Sequence, residues 1–140
     1  MNYTLTIPGT PVPQPRPRIS TRGGIGRAYV PKDHPIHAYR EAIAAAAKES
    51  GVYFKGAVAL SVEAVFARPA SHWRKHDLRP DAPQWPKADG DNVLKGIADA
   101  LTDGGAWDDD DQVVEWSIVK RWASRGGEAR TVIIVSEADE

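Results

Sequence analysis

The sequence predicts an α/β domain in which helices pack on a mixed β-sheet, in the order β-α-β-α-β-β. Three observations predict it. Residues 35–50 and 92–102 repeat apolar side chains at the spacing of a helix face. Residues 2–8, 56–67, 112–123 and 129–137 are short apolar runs, most of them alternating with polar residues. Glycine and proline separate these segments. At 140 residues, one domain spanning 1–140 is expected, with a modest core around one sheet.

Each element has its own justification. "NYTLTIP" points Tyr3, Leu5 and Ile7 to one face and stops at Pro8. The next two dozen residues hold prolines, glycines and five basic residues, and read as a long loop or arm. "PIHAYREAIAAAAKES" is a helix with Ile36, Tyr39, Ile43, Ala46 and Ala47 on its apolar face, ended by Gly51. "GAVALSVEAVFA" is a strand with Val58, Leu60, Val62, Ala64 and Phe66 on one side. Residues 68–88, proline-rich and partly basic, form a second loop. A helix follows from about Asn92 to Thr102, buried through Val93, Leu94, Ile97, Ala98 and Leu101. Asp91 occupies the expected N-cap, and Gly104–Gly105 stops the helix. "QVVEWSIVKRWA", the turn "SRGG" and "ARTVIIVSE" read as a hairpin.

The net charge of −1 conceals a segregation. Residues 1–80 hold 12 Lys/Arg and 5 Asp/Glu, whereas residues 81–140 hold 6 and 14. Arg16, Arg18, Arg22, Arg27 and Lys32 lie in a stretch, 11–32, that contains no acid. Basic residues that hold a polyanion beside carboxylates that hold a metal ion are what a phosphodiester enzyme requires, and solvated loops would give the same composition. In the second loop, "HWRK" could set Trp73 against a base with Arg74 and Lys75 on phosphates. Trp107 and Trp116 read as core or sheet-end packing. No cysteine is present, which excludes disulfides and thiolate metal sites. No apolar run reaches 18 residues and the N-terminus lacks a signal-peptide pattern, so a cytosolic protein is expected.

The chemistry concentrates in "DGDNVLK" and "WDDDDQVV". Asp89 and Asp91 lie just before a helix, and Asp108–Asp111 just before a strand, so both acidic turns are expected at one end of the sheet. Carboxylates without cysteine select a hard cation, Mg²⁺ or Mn²⁺. Such an ion polarises a phosphoryl oxygen and generates a nucleophile from water near neutral pH. Lys95, one turn after Asp91, either neutralises charge in a transition state or makes an ordinary pair with Asp91 or Asp99. An EF-hand is excluded, because the positions needing a third ligand, glycine and glutamate hold Val93, Leu94 and Ala100, or Gln112, Val113 and Val119. His34/His37 and His72/His76 have no carboxylate at zinc-site spacing, which argues against zinc.

"DGDNVLKGIADAL", a short turn and "WDDDDQVV" resemble the RusA family of Holliday-junction resolvases, whose signature runs D-x-D-N-x-x-K-x-x-x-D-A-L and then D-D-x-Q-V. "PVPQPRPR" and "RPASHWRK" are similar to that family's basic loops. The resemblance implies a small endonuclease, bacterial or phage-encoded, acting in the cytoplasm as a homodimer on four-way junction DNA. Mg²⁺ would be its cofactor and Mn²⁺ a substitute, and paired symmetric nicks its product, in recombination and repair. Carried over by position, Asp89, Asp91 and Asp110 are the metal carboxylates, Lys95 completes the catalytic set, and Asp99 positions Lys95. Four consecutive aspartates depart from the family pattern and leave the choice among Asp108–Asp111 open. Gly90 stands where the family carries an aliphatic residue and is expected to loosen the turn. A junction-binding module without turnover and a Mg²⁺ nuclease of other branched DNA remain as alternatives.

Overall fold

The computed structural model describes residues 2–21, 24 and 26–138. Its elements are β1 (Asn2–Pro8), β2 (Arg18–Ser20), β3 (Arg27–Tyr29), α1 (Ile36–Ser50), β4 (Val58–Phe66), α2 (Gly90–Asp103), β5 (Val113–Trp122) and β6 (Arg130–Glu137). The main sheet is mixed, in the order β1-β6-β4-β5, with β4 and β5 parallel and the other pairs antiparallel. This is the expected α/β architecture. No helix among the described residues is long and apolar enough to cross a membrane.

The core lies between the sheet and the helices. Val58, Leu60, Val62 and Ala64 alternate along β4 and are almost completely buried. Ile133 and Val135 of β6 join them, as do Ile36, Ile43 and Ala47 of α1 and Val93, Ile97 and Leu101 of α2. Each fully buried Val, Ile or Leu contributes roughly 2 kcal/mol. The helices approach closely at Gly104, where a Cβ would lie 2.7 Å from the Ala44 carbonyl oxygen. Gly51 ends α1 in the left-handed region at φ 69, which glycine adopts without steric cost. At the other end of α1, His34 Nδ1 accepts the Ile36 N–H at 3.0 Å, which gives this histidine a structural role. Tyr39 fastens α1 to β6 through a buried 2.6 Å hydrogen bond between its hydroxyl and Thr131 Oγ1.

Three expectations are corrected. The arm contains a small antiparallel pair, β2 with β3, where only a loop was expected. The N-cap of α2 is Asp89, which leaves Asp91 in the first turn. Gly90 is the first residue of α2. A Cβ there would lie 3.3 Å from Ile118 Cγ2, so glycine lets the helix start close against β5. Finally, β5 and β6 form no hairpin.

The physical reason for the last correction is pairing geometry. The β4-α2-β5 crossover makes β5 parallel to β4, and β6 fills the antiparallel slot between β4 and β1. Thr131, Ile133 and Val135 of β6 are 0% exposed, a degree of burial that an interior strand obtains. The more polar β5, with Glu115, Lys120 and Arg121, suits an edge. The connection 123–129 need cross only about 10 Å to skip β4, well within the reach of seven residues at roughly 3.3 Å each.

Candidate active site

The β4-α2-β5 unit positions the acidic residues. After β4 the chain wanders through the proline-rich loop, and Lys120 of β5 gathers its end by donating from Nζ to the carbonyls of Pro86 at 3.0 Å and Ala88 at 2.9 Å. Asp89 then starts α2. Its Oδ1 accepts the N–H groups of Asp91 at 3.0 Å and Asn92 at 3.4 Å, and the Asn92 side-chain amide donates to Oδ2 at 3.3 Å. A carboxylate there answers both the orphan amides and the positive end of the helix dipole.

Asp91, Lys95 and Asp110 line one recess of about 220 Å³, together with Leu94, Ala98 and Trp116. The four helical residues of this set follow the i, i+3, i+4, i+7 stripe of one helix face. Asp110 and Trp116 close the recess from the neighbouring segment. Among the described residues, Lys95 forms no ion pair with Asp91 or Asp99. The simple helical pair that its spacing allowed is therefore not made.

The two acidic turns do not meet at one end of the sheet. Because α2 runs back along β5, its start lies against Ile118 and Lys120, while its last turns lie near the acidic loop. Asp110 feels Asp109, Asp99 and Asp111, and Asp99 is two turns beyond Asp91, about 12 Å along the helix axis. The Asp110 carboxyl is pushed above its ordinary range, chiefly by a hydrogen bond with Asp109, then by desolvation and the charges around it. The carboxylates crowded around it disfavour its charged form, and a cation placed among them would relieve that repulsion.

The run of four aspartates divides by role. Asp108 Oδ2 accepts the Tyr53 hydroxyl at 2.9 Å. This contact raises the Tyr53 hydroxyl above its ordinary range, because the hydrogen bond and the Asp108 charge both favour the protonated phenol. Asp109 caps the short 3-10 turn Asp110–Gln112 and accepts the Asp111 N–H at 3.0 Å. Asp110 is the member of the run that lines the recess with Asp91 and Lys95.

Asp91 and Asp110 present hard oxygen donors of the type that Mg²⁺ and Mn²⁺ take. Among the described residues, no three His, Cys, Asp or Glu side chains converge into a ready cation cage. The donor chemistry thus fits a hydrated Mg²⁺ held by one or two carboxylates, with water and phosphate oxygens completing its shell.

The basic residues fall into groups. The arm packs along the first turn of α2, with the Gln14 N–H bonded to the Asn92 carbonyl at 3.0 Å. It forms with Asp89 and Asn92 a second recess of about 490 Å³, lined by Pro11, Pro13 and Arg16 among others. Arg16 and Lys32 are exposed. Arg18 and Arg27 sit on β2 and β3, and their side chains, with the whole of Arg22, lie outside the described residues. Arg74 makes a bidentate pair with Asp77 at 2.9 and 2.6 Å, while Lys75 is exposed at the same turn. Trp73 stacks under Arg125, whose guanidinium carbon lies 4.8 Å from the ring centroid.

Sequence reasoning missed Trp116, Lys120, Tyr53 and the contacts of Gln112. Trp107 is core, as expected, at 2% exposure, but Trp116 is 45% exposed at the recess. The signal for it was available, since Trp116, Ile118 and Lys120 alternate on one face of β5.

Carboxylates and a lysine free of ion pairs among the described residues share one recess, and an arm bearing the exposed Arg16 packs on the same helix, residue types suited to a phosphodiester-cleaving enzyme. The sequence profile of the family described as endodeoxyribonuclease RusA matches residues 8–136, nearly the whole chain. The chain belongs to that family of Holliday-junction-resolving endonucleases, and it is an endodeoxyribonuclease. No curated protein matches it significantly.

Proposed function

We propose that this nuclease resolves four-way DNA junctions by paired symmetric nicks in a Mg²⁺-dependent reaction, as a homodimer acting in recombination and repair. The observation that carries the site assignment is the recess shared by Asp91, Lys95, Asp110 and Trp116. Asp91 and Asp110 would hold the ion, which Mn²⁺ can replace, and Asp89, whose carboxylate caps α2 and lines the adjoining recess, is the third carboxylate available to it. When bound, the ion supplies Lewis acidity at a phosphoryl oxygen and a nucleophile at neutral pH. Lys95, which forms no ion pair among the described residues, stabilises negative charge as it develops on the phosphate. Trp116 offers an indole face beside the scissile strand. Arg16, Arg18, Arg22, Arg27 and Lys32 follow the phosphate backbone and fix register without reading sequence, and Lys75 adds a further charge. Hydrolysis leaves a 5′ phosphate and a 3′ hydroxyl, ends that a ligase can seal.

The test is one gel. Purified protein is incubated with labelled four-way junction, flap and plain duplex, each with Mg²⁺ and with EDTA. Symmetric junction cleavage in Mg²⁺ alone is expected. Equal cutting of the flap would redefine the substrate, and activity in EDTA would remove the metal from the mechanism.

A further inference from the structure

We propose that Gln112 is the positioning residue of this site, setting the placement of Asp110 for the cation; the inference rests on the metal-site reading above. Its side-chain amide uses its full hydrogen-bonding capacity. Oε1 accepts the N–H groups of Asp108 at 2.9 Å and Asp109 at 3.2 Å, and Nε2 donates to the carbonyls of Phe54 and Gly56, both at 3.0 Å. An amide offers two donors and one doubly accepting oxygen, so a single side chain satisfies four backbone groups.

The acceptor half forms a reciprocal capping box, with Asp109 capping the 3-10 turn and Gln112 reaching back to the Asp109 N–H. Asp110 is enclosed by that box. The Asp109 N–H before it and the Asp111 N–H after it are both bonded inside the box. The donor half ties the box to the segment entering β4, which is itself held by the Phe54 N–H on the Ala106 carbonyl at 2.7 Å. No other residue type does both. Glutamate keeps the acceptors and loses the donors, and asparagine is one methylene short.

The experiment is a Mn²⁺ titration of the full chain, followed by paramagnetic broadening of the amide resonances of residues 109–111, with melting temperatures measured in parallel. In Gln112→Ala the midpoint should rise at least about tenfold, the scale on which outer-shell partners of metal ligands act. Gln112→Glu keeps the capping box, and its midpoint should stay within about threefold of wild type although it also loses the tie to Phe54 and Gly56. The double variant Asp110→Asn/Gln112→Glu should not bind, which excludes the introduced carboxylate as the ligand. A Gln112→Ala midpoint within about twofold of wild type overturns the proposal, because outer-shell losses are larger. Equal losses in the Ala and Glu variants, tracking melting temperature, overturn it too, as does Mn²⁺ binding by the double variant. If Gln112→Ala does not fold, Gln112→Asn, one methylene short of both halves, takes its place with the same tenfold expectation and the same twofold threshold. Wild type without any broadening would instead sink the metal reading and leave the geometry of Gln112 as a matter of loop stability.

Discussion

Tyr53 donates its hydroxyl to Asp108 Oδ2 at 2.9 Å, which commits one of four consecutive aspartates to the α1–β4 connection. Asp110, two residues on, lines the recess with Asp91 and Lys95. Substitution should separate the two. Tyr53→Phe and Asp108→Asn should leave junction cleavage within a few-fold of wild type. Asp110→Asn should reduce it to background in Mg²⁺ while junction binding in EDTA persists or tightens, since a charge that repels DNA has gone. Cleavage rates and gel-shift affinities for the three variants check this, and a large loss in Asp108→Asn would move the assignment along the run.

Lys95→Ala should lower the cleavage rate by about a hundredfold or more if the ammonium stabilises developing charge. Its melting temperature should hardly move, because among the described residues Lys95 makes no ion pair whose loss could be felt. Single-turnover kinetics with preassembled complex isolate the chemical step. A wild-type rate would return the lysine to the surface.

Arg16 and Lys32 are exposed in the arm and make no ion pair among the described residues, whereas Arg74 is held by Asp77. Each phosphate contact removed should flatten the log–log salt dependence of junction binding by about 0.9 on duplex DNA. Arg16→Ala and Lys32→Ala should each approach that value without lowering the melting temperature. Arg74→Ala should change the slope less, because Asp77 already neutralises its charge. A steeper effect from Arg74 would mean that DNA displaces Asp77.

Burial pushes the Tyr39 hydroxyl up to about 12 from 10.0, with the Thr131 hydrogen bond acting in the opposite direction. The folded chain therefore holds this proton more tightly than the unfolded chain. The stability contributed is complete below pH 10.0, the unfolded value, and is lost as pH rises towards about 12. The full loss is about 3 kcal/mol. Tyr39→Phe should cost about 1 kcal/mol at neutral pH by orphaning the buried Thr131 hydroxyl. It should then lose less stability than wild type as the solution becomes alkaline. Urea unfolding at neutral and alkaline pH compares the slopes, and parallel slopes would contradict the assignment.

The sequence by itself determined the element types, because hydrophobic period is a local property. Tyr3, Leu5 and Ile7, the alternation along β4 and the α2 stripe all face the core as their spacing requires. It also determined the chemical character of the site, since carboxylates without cysteine restrict the donor set whatever the fold. Strand order was not legible. The run 112–123, the turn and 129–137 look like a hairpin locally, but the parallel crossover from β4 and the deeper burial available between β1 and β4 place β6 elsewhere. Residue spacing left open which aspartate of the run reaches the recess, and tertiary structure decided it, because Tyr53 and Asp108, like Phe54 and Gln112, lie far apart in the chain and bond only when the α1–β4 connection packs on the acidic loop. Tertiary structure alone decided that the charge of Asp99 bears on Asp110, since the direction in which α2 crosses β5 is fixed by packing, including the close contact at Gly90, and by no residue spacing.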